Sequence, residues 1–182
     1  MSTTDQKPDV IELLEQQHQE IRRLFEEVRA ASGEQRAEAF KCLVRLLAVH
    51  ETAEEELIHP EARRSDSAGS IVDARVAEES DAKQMLADLE ELDVDAMEFD
   101  AQLDALRQAV LAHAEREEHE EFPLLRDVHD ERVLRRMSTE LKAAEAMAPT
   151  HPHPHGPDSA TGNLLVGPFV AVADRVRDAI QR

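Results

Sequence analysis

Two stretches decide how this chain is read: His50-Glu51-Thr52-Ala53-Glu54-Glu55-Glu56-Leu57-Ile58-His59-Pro60 and His113-Ala114-Glu115-Arg116-Glu117-Glu118-His119-Glu120-Glu121-Phe122-Pro123. In each, a histidine is followed four residues later by a Glu-Glu pair and ten residues later by a proline. Four residues is just over one helical turn, so each histidine and its glutamate share a helix face. With nine histidines and 40 acids in 182 residues, chance alone puts about two acids four places after a histidine, so the spacing by itself carries no weight. The weight comes from two other features. Both pairs fall on apolar stripes, and the two halves of the chain repeat each other.

Outward from these stretches the chain reads as helices. Glycine is scarce, and Ala, Leu, Glu, Arg and Gln dominate. A first helix is predicted over 8–31, with Ile11, Leu14, His18, Ile21 and Phe25 on one stripe. A second, over 34–60, carries Phe40, Leu43, Leu47, His50, Glu54 and Leu57. After a loop near 63–70, a third over 70–91 carries Val72, Val76, Glu79, Ala82 and Leu86. A fourth over 97–127 carries Leu103, Leu106, Val110, His113, Glu117 and Leu124. One polar residue precedes each histidine-glutamate pair at similar range, His18 before His50 and Glu79 before His113. Three imidazoles and three carboxylates thus meet in one interior. Buried carboxylates cost several kcal/mol each without cations, so bound metal is expected. The fold class is all-α: an antiparallel four-helix bundle over 1–130 with a C-terminal helical extension over 131–182. That extension reads as a fifth helix over 131–147, an irregular His/Pro-rich stretch over 149–162 and a last helix over 164–180, docked on the bundle.

The charge balance excludes partners. Forty acids against 21 bases give a net charge of −19, which repels phosphate backbones and anionic lipid surfaces. The basic doublets Arg22-Arg23, Arg63-Arg64 and Arg135-Arg136 sit among acids. Neither nucleic acid nor membrane is expected. There is no Trp or Tyr, so aromatic stacking platforms and a tyrosyl radical are out. The one cysteine, Cys42, reads as a small buried hydrophobe. The polar start lacks a secretory signal pattern and no run is long and apolar enough to span a bilayer, which makes the cytoplasm the default compartment. No nucleophile elbow, phosphate loop or CxxC pair is present.

The order His18, His50-x-x-x-Glu54, Glu79, His113-x-x-x-Glu117 resembles the hemerythrin-like, or HHE cation-binding, family of four-helix bundles, over about residues 8–127. The resemblance implies two iron ions with an oxo or hydroxo bridge, Glu54 and Glu117 as bridging carboxylates, His18 and His50 on one iron, and Glu79 with His113 on the other. It implies O2, H2O2 or NO as the small ligand; electron donor and oligomeric state stay open. The chain departs from the family in two ways. Glu79 stands where a helix-three histidine is usual, and His59 stands where many relatives have tyrosine. A carboxylate at Glu79 adds a hard, negative donor that favours the ferric state. This leans the expectation toward peroxide decomposition or oxidant sensing; reversible O2 or NO binding without turnover, or iron holding, are the alternatives, and any catalase- or peroxidase-like activity belongs to the metal centre itself. His59 is read as a surface or supporting residue, with metal ligation as the alternative. His119, His129, Glu55, Glu56, Glu118, Glu120 and Glu121 are read as solvent-facing, and His151, His153 and His155 as part of a solvated linker.

Overall fold

A computed structural model describes residues 7–148 and 150–151. Helix α1, Val10–Ala30, starts at Asp9, whose carboxylate accepts the Glu12 N–H at 2.9 Å while the Glu12 carboxylate accepts the Asp9 N–H at 2.9 Å. This reciprocal cap satisfies two orphan donors and fixes where the helix begins. The chain turns back through Gly33, whose φ of 56° suits glycine's freedom in the left-handed region. Helix α2 runs over Gly33–Ala53, widens into a π-helical turn at Glu54–Ile58, and resumes over His59–Ala62. Helix α3 is Gly69–Glu90. Helix α4 runs over Phe99–Arg116, widens at Glu117–Glu121 and resumes over Phe122–Val128. Helix α5 is Glu131–Met147, capped by Asp130 accepting from the Val133 N–H.

The two π turns have one cause in the sequence. Pro60 and Pro123 lack an N–H, and inside a helix their rings press on the carbonyl one turn back. In both helices the residue before the proline bonds five positions back rather than four, His59 N–H to Glu54 O and Phe122 N–H to Glu117 O. The added residue widens the helix ahead of the ring. It also changes which residues share a face, because position i+5 now sits over position i.

Helix α1 packs on α2 and α3 on α4, while α1–α4 and α2–α3 contacts close the bundle. The core forms two apolar blocks. One gathers Ile21, Phe25, Leu43, Leu47, Leu86, Leu103 and Val110. The other gathers Ile11, Leu14, Ile58, Val72, Phe122 and Leu125 with Leu134, Met137 and Leu141 of α5. Helix α5 is therefore built into the core rather than appended to it. The candidate ligands lie in the layer between the blocks.

Several expectations are corrected here. Cys42 is exposed, because it lies two residues from Phe40 and so points away from the Phe40–Leu43–Leu47 stripe. Glu55 and Glu121 are buried, and Glu118 is only 26% exposed. His129 is largely covered and pairs with Glu61 at 2.8 Å. His151 pairs with Glu90 at 2.8 Å rather than standing in solvent. The predicted irregular stretch over 149–162 falls outside the described residues except at Thr150 and His151, and so do His153, His155 and the predicted helix over 164–180. Among the described residues, no helix is long and apolar enough to cross a membrane.

Candidate metal centre

The structure brings together all six residues singled out by the sequence. His18, His50, Glu54 and Glu117 form one group, and Glu54, Glu79, His113 and Glu117 form a second; within each, the facing ligand atoms lie within 4.8 Å of one another. Glu54 and Glu117 belong to both. His18 comes from α1, Glu79 from α3, His50 and His113 from the last α-helical turn before the π segments of α2 and α4, and Glu54 and Glu117 from the first position of those segments. All six are buried, and Glu54 and Glu117 are fully so.

The inward atoms lack ordinary partners. The Nε2 atoms of His18 and His113, one Glu79 oxygen, and both oxygens of Glu54 and of Glu117 are buried with no hydrogen bond to any of the described residues. The nearest approaches are ion-pair distances: His18 Nε2 to Glu117 at 3.2 Å, His50 Nε2 to Glu54 at 3.4 Å, and His113 Nε2 to Glu117 at 3.4 Å. Orphaned buried donors and acceptors are costly. Convergent imidazole nitrogens and carboxylate oxygens are a donor set for cations, and a pair of divalent ions satisfies these atoms together.

The outward nitrogens are held. His18 Nδ1–H donates to Glu118 at 2.8 Å, His113 Nδ1–H to Glu78 at 3.0 Å, and His50 Nδ1–H to the Gln17 amide oxygen at 2.7 Å. Each bond puts a proton on Nδ1 and turns Nε2 inward, where it offers a lone pair whenever the ring is neutral. Glu78 is in turn gripped by Arg75 at 3.0 Å and Arg116 at 3.0 Å. Although partial burial works against its charge, the His113 and Arg116 hydrogen bonds and the Arg75 charge hold its carboxyl below the usual range.

Without metal, protons and basic side chains balance the charge. Burial and the Glu117 charge push Glu54 well above the ordinary carboxylate range. Glu117 moves the other way: burial opposes its charge, but His113 and His18 hold it well below. Burial also disfavours charge on His113, yet Glu117, Glu78 and Glu79 keep it protonated well above the usual imidazole range. His50 is pushed down to about 3 by burial and by neighbouring His18.

Of three further buried groups beside this layer, the sequence left His59 between a surface and a supporting place and missed Glu121 and Glu51. His59 donates from one nitrogen to Glu121 at 2.8 Å and from the other to Glu79 at 2.6 Å. Burial resists its charge, but those two carboxylates raise its pKa well above normal. Glu121 lies eight residues after His113, on the same stripe, and that spacing was the available signal. Glu51 lines a small apolar cavity bounded by Ile21, Leu47, Ala82 and Val110 together with His18, His50, Glu79 and His113. It is the sole ionisable group there outside the six, and burial pushes it up to about 8.

Residues 9–125 match the hemerythrin HHE cation-binding domain family. An uncharacterized hemerythrin-like protein of Schizosaccharomyces pombe is 24% identical over 138 residues, covering 75% of this chain and 68% of that protein. A Nostoc protein named as a DNA nickase is 25% identical over 142 residues; the match takes 78% of this chain but 40% of that longer protein. In the solved structure of a hemerythrin HHE cation-binding-domain protein from Mycobacterium kansasii, the same fold recurs with a TM-score of 0.69 at 19% identity, over 94% of this chain and 99% of that one. With the matched segment spanning most of the described bundle, this chain belongs to the hemerythrin HHE cation-binding family.

Proposed function

We propose that the six residues hold two iron ions and that the loaded protein decomposes hydrogen peroxide or senses oxidants. His18 and His50 would hold one iron and Glu79 and His113 the other, with Glu54 and Glu117, which belong to both ligand groups, available to either. The observation that carries this reading is the composition of the donor layer: three carboxylates to three imidazoles, with Glu79 as a terminal ligand. Hard oxygen donors of net negative charge stabilise the ferric state over the ferrous and work against release of intact O2. When bound, the iron pair supplies the redox change by which one peroxide is oxidised to O2 while a second is reduced to two waters, with no outside reductant.

The chain's own groups do the rest. The small cavity beside the layer is lined mainly by apolar side chains and has room for about one water-sized molecule. Glu51 keeps its carboxyl proton at neutral pH and presents it to that cavity. Glu118, Gln17 and Glu78 hold the imidazoles in the ligating tautomer. A net charge of −19 argues against DNA as a partner, and the nickase activity named for the Nostoc protein belongs to a chain with much additional length.

Purified protein loaded with ferrous iron tests the reading. About two irons per chain, a ferric optical spectrum after oxidation, and oxygen evolution on adding peroxide are the expected results. Reversible oxygenation without peroxide turnover would favour the O2- or NO-binding alternative. Less than one iron per chain would remove the centre altogether.

A further inference from the structure

The two halves of the site are alike in placement, and one of the positions at which they differ is the residue behind each paired histidine. Gln17 precedes His18 by one residue, and Glu78 precedes Glu79 by one. Each reaches the outer nitrogen of the histidine on the next helix, Gln17 to His50 and Glu78 to His113. Glu78 is a carboxylate, can only accept, and is fixed by Arg75 and Arg116. Gln17 is an amide, which presents an oxygen or an NH2 to His50 depending on which way it is turned. Something must choose, and the structure supplies it: the Gln17 NH2 donates to the carboxylate of Glu145, near the end of α5.

We infer that Glu145 is a positioning residue for the metal centre, acting through Gln17 on His50. A carboxylate accepts and never donates, so Glu145 holds the amide NH2 and turns the amide oxygen toward His50. That oxygen can only accept, so the His50 proton sits on Nδ1 and the Nε2 lone pair is free for metal. Glu145 and Gln17 are both half-buried, so the chain of bonds runs from the rim of the molecule to the interior. In the second half the support of the paired histidine, His113, comes from Glu78, Arg75 and Arg116, all on α3 and α4. The first half borrows one from α5, a helix outside the four that carry ligands. Seating of the C-terminal helix is thereby read out at one metal position and not at the other.

The inference rests on the two-iron reading above, but not on peroxide chemistry. The test uses the full-length chain loaded with ferrous iron and challenged with a chromogenic ferrous chelator, with iron release followed in time. Glu145→Ala and Gln17→Met each accelerate one of two release phases by ~10-fold, the lower end of what supporting partners of metal ligands contribute. The double variant releases iron no faster than Gln17→Met alone. Glu145→Gln, which still offers an oxygen to the amide, restores the wild-type trace and shows that α5 packing is intact. Glu145→Lys is worse than Ala, because an ammonium donates and turns the Gln17 NH2 toward His50, favouring the tautomer with its proton on Nε2. Equal acceleration of both phases, additive effects in the double variant, an unchanged trace for Glu145→Ala, or Lys no worse than Ala would each overturn the inference. A protein that loads two irons but evolves no oxygen leaves this assay intact, so the two readings fail separately.

Discussion

Filling the centre should expel protons from the side chains that hold the metal. In the metal-free protein His113 is kept protonated because Glu117, Glu78 and Glu79 outweigh its burial. Glu54 is kept protonated by burial and by the Glu117 charge. His50 is already neutral, with its pKa at about 3, and Glu117 is already ionised. Binding cations at His113 Nε2 and at the Glu54 oxygens requires both of the first two groups to lose their protons. Both pKa values are raised, so protons compete with metal and apparent affinity climbs with pH. Wherever both groups are still protonated, two protons displaced make the overall loading constant change ~100-fold per pH unit, equivalent to about 2.7 kcal/mol. Titration calorimetry with manganese(II), a redox-silent probe, in buffers of differing ionisation enthalpy at about pH 6, 7 and 8 counts those protons. Release of fewer than one proton, or a loading constant flat across that range, would refute the account of how these side chains balance their charge before metal binds.

Three other substitutions probe separate parts of the layer. Glu51→Gln removes a carboxyl whose folded pKa of about 8 lies above its reference of 4.5; because that stabilisation is complete below the reference value and lost as pH rises through 8, the fall in melting temperature of metal-free protein between those limits should flatten in the variant, by an amount on the order of several kcal/mol. Lys83→Met takes away the buried cation that pairs with Glu55 and also faces Glu51 and Glu79; leaving those carboxylates uncompensated should cost about 3–5 kcal/mol, lowering the melting temperature by roughly 10 °C, with most of the loss recovered in Lys83→Met/Glu55→Leu. Glu79→His should shift the loaded protein from peroxide turnover toward reversible oxygenation in optical titrations, and should do so fully only together with His59→Phe; unchanged turnover in the double variant would show that Glu79 does not set the chemistry.

The parts of this structure that obey a 3.6-residue period were legible, and the parts that do not were obscured. His18, His50, Glu79 and His113 interrupt apolar stripes within ordinary α-helix, and Glu54 and Glu117 open the π turns one helical turn beyond their histidines, so their place on the stripes carried all six to one interior. His59 lies five residues after Glu54, a step that points away from the ligand face in an α-helix and onto it across a π turn. Its burial between Glu79 and Glu121 was therefore out of reach of a period-based reading. The cause was written in the chain as Pro60 and Pro123, each just beyond its widened turn. Glu55 and Lys83 were hidden differently: each looks like one more surface charge until the other is placed beside it. The solvated-acid account of the net charge thus undercounts the interior, where Glu51, Glu55 and Glu121 join the three candidate ligands.

The repeat explains why the departures of this chain occur together. Exchange of the two halves places His18 over Glu79, His50 over His113, Glu54 over Glu117, and His59 over Phe122. The contacts obey that exchange. Phe122 stacks on the His18 ring, with centroids 5.8 Å apart and planes 9° from parallel, while His59 bonds to Glu79 at 2.6 Å. Arg22 faces Glu118 on one side, and Lys83 faces Glu55 on the other. Where the single ligand is an imidazole, its backing residue is a phenyl ring that packs against it. Where the ligand is a carboxylate, the backing residue is an imidazole that hydrogen-bonds to it and is itself anchored by Glu121. An unsupported Glu79 would expose both oxygens to a dry interior; an imidazole at 79 facing His59 would set two basic rings against each other without a carboxylate between them. Glu79 and His59 thus form one unit, and their joint substitution, rather than either alone, converts the second half of the centre into a copy of the first.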